Sequence, residues 1–576
     1  MAKQLAISVG QFSDKGAKKL NQDFHGACIP AEPQLSAKGI AVALADGISS
    51  SSVSQIASEA AVSGFLADYY CTSEAWTVKK SAQRVLIATN SWLHAQTQQS
   101  QYRYDKDRGY VCTFSALIFK ATMAYLFHVG DARIYRVAGK GLEQLTQDHR
   151  LWVSQQQSHL ARALGINQQL EIDYQAMPVA PGDTFVLATD GVYEFASAAF
   201  ITQTIAEQQA DLDGAAKLIV AEALARGSDD NLTVQIVRID SVPSLHGAAN
   251  RLGSQAFAEL PLPPMLEPRM LFDGYRIMRE VHHSSRSHVY LAVDEQSGEQ
   301  VILKTPSIDL GDDPAYQERF MLEEWIARRL NSPHVLKPCI TERRRSYLYV
   351  VTEYVEGQTL RQWMIDNPSP NLEQVRNIVE QIAKGLQAFH RMEMLHQDLR
   401  PENVMIDSSG TVKIIDFGST RVAGLMEMAI PQMQEQMLGT VQYSAPEYFL
   451  GESGTPRSDL FSLASITYQM LTGKLPYGAQ VAKARSRAAQ NKLVYQSALR
   501  EDREIPVWID DVLKRGLQPN PYKRYEALSE FVFDLRQPNH VFLSRTRPPL
   551  MERNPLLFWK SLCFILVMLI AVLLAQ

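Results

Sequence analysis

Two neighbouring stretches constrain this chain more than any other feature. Residues 395–404 read LHQDLRPENV, and residues 412–420 read VKIIDFGST, a strand-like apolar run broken by Asp416, Phe417 and Gly418. The first packs a histidine, an arginine, an asparagine and two acids between apolar ends, more polar groups than a turn needs. Transfer of a phosphoryl group from a nucleotide calls for a cation on the phosphates, oxygen ligands for a divalent ion, and a base beside the acceptor hydroxyl. Each acid alone reads as a solvated loop residue; the ordered set points to a phosphoryl-transfer centre.

That centre occupies less than half of the chain. With 576 residues, of which 46% are hydrophobic and 21% charged, two or three domains with real cores are expected. The net charge of −5 gives no reason to expect a nucleic-acid partner. Five scattered cysteines without a CxxC pair exclude a disulfide framework or a cysteine zinc site. No basic segment followed by an apolar run opens the chain, so no signal peptide is expected. Residues 556–575 are apolar apart from Lys560, Ser561 and Cys563. About 20 residues at ~1.5 Å each match one hydrocarbon thickness, which predicts a transmembrane helix. Arg545, Arg547 and Arg553 before it put the large domains on the cytoplasmic side.

Residues 1–240 alternate strand and helix signals. GIAVALADG is a short apolar run ending in a turn pair; SQIASEAAVSGFLADYY and SAQRVLIATNSWLHAQ read as helices, the second with Val85, Ala88 and Trp92 on one face. From Cys112 to Thr146 strands alternate with tight turns, AGKG forming one hairpin loop, and NLTVQIV reads as a half-buried strand. The predicted architecture is an antiparallel β-sandwich flanked by helices. Residues 241–268 are Pro-rich and aperiodic, which is linker composition. Strand signals return through VYLAVD and VILKTP; helices dominate after Gly357, where Val375, Ile378, Val379, Ile382, Leu386 and Phe389 form one stripe. A small β-rich lobe followed by a larger helical one is expected. The fold class is therefore α+β, with boundaries at 1–240, a linker at 241–270, a second domain at 271–540, a basic juxtamembrane segment at 541–555 and the apolar helix at 556–575.

Residues 275–535 resemble a eukaryotic-type protein serine/threonine kinase, and the roles that follow are those the resemblance implies. Lys304 of VILK grips the ATP phosphates, and Glu323 pairs with it, Glu324 being the alternative. Val289, Glu353 and Val355 face the adenine side, with Thr352 as gatekeeper. Asp398 is the catalytic aspartate, supported by Arg400, while Asn403 and Asp416 ligate magnesium. GTVQYSAPE resembles the end of an activation segment. The glycine-rich loop departs from the family: HHSSRSHV puts His282, Ser284 and Ser287 at the glycine positions, where side chains restrict close approach to phosphate. Gln397 stands where an arginine usually receives an activation-loop phosphate, so less dependence on that phosphorylation is expected.

The first domain carries separated acids in LNQDF, ALADG, VGDAR, LATDG and SDDN. A single Asp-Gly pair is ordinarily a turn. Several at strand ends can converge, and hard carboxylate oxygens suit magnesium or manganese. This order resembles the metal-dependent, type 2C-like protein phosphatases over residues 5–240. The resemblance implies that Asp46 and the Gly47 carbonyl bind bridging metals, that Asp190 and Asp230 complete the second site, that Asp23 holds a water on the metals, and that Asp131 serves a weaker third ion. Lys18 replaces the family's phosphate-gripping arginine, keeping the charge without the fork, and Ile48 leaves no general acid after the Asp-Gly pair. Asp148 and His149 are expected to be structural.

Together the two resemblances imply a bifunctional kinase and phosphatase acting on protein serine and threonine, with ATP and two or three divalent ions in the phosphatase and magnesium with ATP in the kinase. Its partners would be protein substrates, itself included, and a membrane, the bacterial inner membrane being the expected location. The alternatives are a non-catalytic membrane scaffold of two degenerate enzyme folds, or one live domain beside one regulatory domain.

Overall fold

The structure, a computed structural model, describes residues 4–152, 158–243, 260–284, 287–307, 314–339, 343, 345–427, 442–499, 505–539, 559–562 and 565. Two units organise the chain: Met1–Leu260 with Val422–Gln434, and Pro261–Arg421 with Glu435–Gln576.

In the first unit the strands of the two main sheets are β1 (Ala6–Asp14), β2 (Phe24–Cys28), β3 (Ile40–Ala45), β4 (Phe114–Lys120), β5 (Met123–Val129), β6 (Arg133–Ala138), β7 (Gly141–Gln144), β8 (Asp173–Pro178), β9 (Thr184–Ala188) and β10 (Leu232–Ser241). They form two antiparallel sheets, ordered β1-β10-β9-β6-β7 and β8-β5-β4-β3-β2. Helices α1 (Ser54–Cys71) and α2 (Val78–Gln99) cover one outer face; α3 (Ala198–Glu207) and α4 (Leu212–Ala225) cover the other.

Four layers explain the continuous apolar runs. Alternate residues of β3 enter different cores: Ala41, Ala43 and Ala45 pack with Phe65 and Val85 of the helices, whereas Ile40, Val42 and Leu44 pack between the sheets with Phe185, Leu187 and Ile239. The same holds for β10, and here the half-buried reading of NLTVQIV is corrected: Thr233 and Gln235 are fully buried. Their polar groups find partners inside, Gln235 donating to the Gly26 carbonyl at 3.2 Å and Thr233 to Asp23 at 2.7 Å. The face assigned to α2 is also corrected. Val85 is buried, but Trp92 is 46% exposed, and Leu86 and Leu93 complete the inner stripe. Ala88 is exposed as well, so the buried stripe runs through Ala82, Val85, Leu86 and Leu93, which pack with Phe65 and Phe114. The AGKG hairpin forms as expected, Ala138 pairing with Gly141. Within this unit Lys120, buried at the end of β4, is neutralised by Glu427 at 3.1 Å.

The second unit begins with a sheet of β11 (Leu271–Phe272), β12 (Tyr275–His283), β13 (Ser287–Asp294), β14 (Gln300–Pro306) and β15 (Val350–Glu353), in that order, with α5 (Pro314–Arg329) in sequence between β14 and β15. A small sheet of β16 (Gly357–Thr359), β17 (Val404–Asp407) and β18 (Val412–Ile414) follows, with α6 (Leu372–Arg391), α7 (Pro456–Thr472) and α8 (Leu528–Arg536) as the main helices described here. The stripe Val375, Ile378, Val379, Ile382, Leu386 and Phe389 of α6 is buried as its spacing predicts. An Asn371–Gln374 capping box starts that helix by satisfying two otherwise free N–H groups. Most of the apolar segment 556–575 and of the linker lies outside the described residues; among those described, no helix is long and apolar enough to cross a membrane.

Candidate active sites

The acids of the first unit sit where strands end. Asp46 follows β3, Asp131 follows β5, Asp190 follows β9, and Asp23 and Asp230 precede β2 and β10. Because adjacent antiparallel strands reverse direction, these five ends lie at one pole of the sandwich. Backbone bonds fix the pole: the Thr113 amide donates to the Asp46 carbonyl at 2.7 Å, and the Thr113 hydroxyl accepts from the Asp46 amide at 2.9 Å. Gly47 has no room for a side chain, since a Cβ would meet the Gln22 carbonyl at 2.7 Å and Ser54 at 2.9 Å.

Mutual repulsion marks the cluster electrostatically. Burial, then the charges of Asp23, Asp190, Asp131 and Asp230, pushes the Asp46 carboxyl well above the usual range. Burial, with Asp131 and Asp230 beside it, lifts Asp190 to about 7. Burial also raises Asp23 to about 6, although Thr233 and Thr189 donate to it. One Asp23 oxygen, Oδ1, is buried without a hydrogen-bond partner. Crowded carboxylates with an orphaned oxygen fit a divalent cation, whose charge relieves the repulsion.

Three further residues shape the pole. Lys18 lies 3.4 Å from Asp230 and within 3.4 Å of the Ser49 hydroxyl. Arg150, which the sequence reading did not single out, places its guanidinium 2.6 Å from Asp131 and 2.8 Å from Asp190. Burial works against that charge, but the Asp131 and Asp190 carboxylates hold the guanidinium firmly protonated. Asn231 joins the loops by accepting from the Gln22 amide and donating to the Lys15 and Leu20 carbonyls. Asp148 binds Arg133 at 2.7 Å and His149 binds Asp173 at 3.0 Å, so the partners of both lie outside the set of five acids. Ile48 follows Gly47 on the same loop and brings no ionisable group.

In the second unit Lys304 of β14 donates to both Glu323 oxygens, at 3.0 and 2.7 Å, and lies 3.7 Å from Asp416. Burial opposes the lysine's charge, yet the two carboxylates hold its pKa above the ordinary value. Glu324 points elsewhere, accepting from Arg345 at 2.7 and 2.8 Å. Asp416 also accepts from the Gly418 amide at 3.1 Å; burial would raise its carboxyl, but Lys304, that amide and the nearby Arg400 together keep it below the usual carboxylate range. Asn403 donates to the Asp398 carbonyl at 2.9 Å and to its carboxylate at 3.3 Å; Arg400 stands 3.7 Å from the same carboxylate. Val289 pairs with Lys304 across β13 and β14, so both side chains share one face of the sheet. Val355 is buried after β15, and the Glu353 side chain is taken by Lys413 at 2.7 Å and the Lys337 amide at 2.9 Å.

Asp459 in the first turn of α7 is a positioning residue the sequence reading missed. Buried completely, it accepts from the His396 and Gln397 amides at 3.0 Å each and from His390 at 2.9 Å. That grip offsets the cost of the left-handed backbone at Gln397, φ 65°. Burial tends to raise the Asp459 carboxyl, but its hydrogen bond and charge attraction to His390 bring it below the ordinary value, and Arg345 does the same for Glu324. Stability from such depressed groups is present above their unfolded values of 3.8 and 4.5 and is lost as pH falls through the folded ones. Acidification from pH ~5 to ~3 is therefore expected to lower the melting temperature of this unit, read by calorimetry, and Asp459→Asn to flatten that dependence.

Comparison with known proteins matches each unit separately. Residues 275–532 match the family described as Protein kinase domain, and residues 13–226 match Protein phosphatase 2C. The serine/threonine-protein kinase PrkC of Bacillus subtilis is 28% identical over 274 residues, covering 47% of this chain and 41% of its own length. The serine/threonine-protein kinase PknB of Mycobacterium leprae is 31% identical over 277 residues, covering 47% of this chain and 44% of its own length. The chain thus spans less than half the length of these curated relatives. Among solved structures, the catalytic domain of the phosphatase PstP in complex with two manganese ions is 22% identical, covering 41% of this chain and 100% of that one, with a TM-score of 0.34. The kinase domain of Mycobacterium tuberculosis PknI is 26% identical, covering 47% of this chain and 99% of that one, with a TM-score of 0.36. The chain carries a phosphatase-2C-type domain followed by a serine/threonine-kinase-type domain.

Proposed function

We propose that the chain both adds and removes phosphate on protein serine and threonine. The observation that carries the kinase half is the ion-paired triad of Lys304, Glu323 and Asp416, since the lysine–glutamate pair and the aspartate must both stand in place for transfer. Lys304 would hold the ATP phosphates and Asp416 and Asn403 would hold magnesium, with Val289 and the backbone of Glu353 and Val355 bordering the base. Asp398 accepts the proton of the substrate hydroxyl while Arg400 steadies the developing charge. Gln397 carries no charge for a loop phosphate, so the paired triad forms without one.

The phosphatase half rests on the convergent acids with the orphaned Asp23 oxygen. Asp46, the Gly47 carbonyl, Asp190 and Asp230 would hold magnesium or manganese, with Asp131 at a weaker position. Such ions, when bound, neutralise phosphate charge and activate water. Asp23 would orient water through its free oxygen, and Lys18 would draw the substrate phosphate as a point charge. The domain limits follow as 1–240 and 271–540, joined by a linker short enough to give each domain a high local concentration of the other's substrate.

The kinase's own phosphorylated residues are therefore substrates for the phosphatase. Thr420 is buried in the described structure, which favours Ser419 over it; Thr440 lies outside the described residues. Asp46→Asn with Asp190→Asn is expected to raise steady-state phosphorylation several-fold in purified protein given ATP and manganese. Phosphate incorporation no higher than in the wild type would refute self-dephosphorylation. The apolar segment 556–575 is proposed to anchor both domains to the cytoplasmic face of a bacterial inner membrane. Removing it should release the chain from the membrane fraction; a truncated chain that still sediments with membranes would refute the anchor.

A further inference from the structure

The hairpin of β12 and β13 carries three potential ligands that neither proposed reaction uses. Glu280, His283 and His288 bring one ligand atom each within 4.8 Å of one another. The Nδ1 atoms of His283 and His288 are 3.0 Å apart, His288 Nδ1 is 2.9 Å from Glu280 Oε1, and His283 Nδ1 is 3.7 Å from the same oxygen.

A break in register creates the cluster. Along a regular strand residues 280 and 283 point to opposite faces. Here Glu280 pairs with Tyr290 while His282 pairs with Val289, so Val281 is an extra residue and the alternation shifts by one. Glu280 and His283 consequently share a face with His288, which pairs directly with His283. Val289 and Lys304 occupy the opposite face. The cluster is thus separated by the sheet from the residues assigned to the nucleotide.

One proton on His288 Nδ1 can be shared between Glu280 Oε1 at 2.9 Å and His283 Nδ1 at 3.0 Å, which leaves His283 and Glu280 without a direct bond to each other. One cation serves all three atoms. With bonds of about 2.0–2.2 Å, tetrahedral zinc sets its ligands roughly 3.3–3.5 Å apart, and the observed separations bracket that span. His288 is buried and held beside the Tyr290 ring, which makes it a fixed ligand, while His283 and Glu280 are exposed enough to close on an arriving ion. Two imidazoles with one carboxylate favour zinc over magnesium, which prefers oxygen alone and octahedral geometry.

We propose that Glu280, His283 and His288 form a zinc site on the outer face of this hairpin, with a fourth position open to water. The ion ties the two strands beside Ser284 and Ser287, where the Ser284 amide donates to the Ser287 carbonyl at 3.0 Å. Both serines stand at glycine positions of the family's loop, so bound zinc stiffens the strand ends on the ATP side. The second step rests on the kinase reading; the binding of zinc does not.

Zinc is titrated into the full chain against a chromophoric chelator with millimolar magnesium present, beside His283→Gln and Glu280→Gln. Both substitutions are at exposed positions. The wild type is expected to bind one equivalent more than either variant, or to bind that equivalent at least about 10-fold more tightly. Equal zinc binding in all three chains overturns the site. A nucleotide-binding titration then tests the consequence: added zinc should change ATP affinity in the wild type and leave His283→Gln unmoved. A zinc difference without any ATP difference keeps the site and overturns the loop-stiffening role.

Discussion

Asp398→Asn is expected to lower the rate of phosphoryl transfer from ATP by about 10²–10⁴-fold, the usual contribution of a placed general base. Asparagine keeps the size of the side chain and its contact with Asn403, but it cannot take up the acceptor's proton. Lys304, Glu323 and Asp416 are untouched, so nucleotide affinity should stay constant and the loss should appear in kcat alone. Phosphopeptide hydrolysis with manganese should proceed at the wild-type rate, because the acids assigned to it belong to the other unit. A kcat within a few-fold of wild type would remove Asp398 from the mechanism. A loss of both activities would indicate misfolding and fail the expectation of independence.

The second large effect concerns stability. Arg524 and Glu447 form a fully buried, bidentate pair at 2.8 and 2.6 Å. Glu447 also accepts from Ser458 at 2.6 Å, and Arg524 donates to the Gln518, Pro519 and Arg457 carbonyls. The pair therefore ties the end of GTVQYSAPE to the start of α7. Arg524→Met leaves a buried carboxylate without its counterion, which costs about 3–5 kcal/mol. For a unit of this size each kcal/mol shifts the melting temperature by roughly 2–4 °C, so a fall on the order of 10 °C is expected. Adding Glu447→Gln should restore part of it, since the uncompensated charge is gone. Calorimetry that shows no shift for Arg524→Met would contradict the pair's role.

Sequence patterning made the layers legible wherever burial on a single face set the period. The α6 stripe is an example: a helix with one dry side advertises it every three or four residues. Patterning misled where both faces are dry. In β10 a polar residue inside the sandwich looks the same as one facing water, and only the partner of Thr233 tells them apart. Acids of the two proposed sites were visible because their motifs are short and ordered. Arg150 and Asp459 were not, since each acts on residues brought near only by chain reversal. The shift at Val281 was equally hidden: HHSSRSHV reads as lost glycines until the register is known.

Arg150 gives the acidic pole a tethered counterion, lodged between Asp131 and Asp190. That charge offsets part of the carboxylate repulsion without a metal. Under the proposed phosphatase chemistry, loading would exchange one positive charge for another, and the ease with which that arm swings aside would set how scarce an ion could be captured.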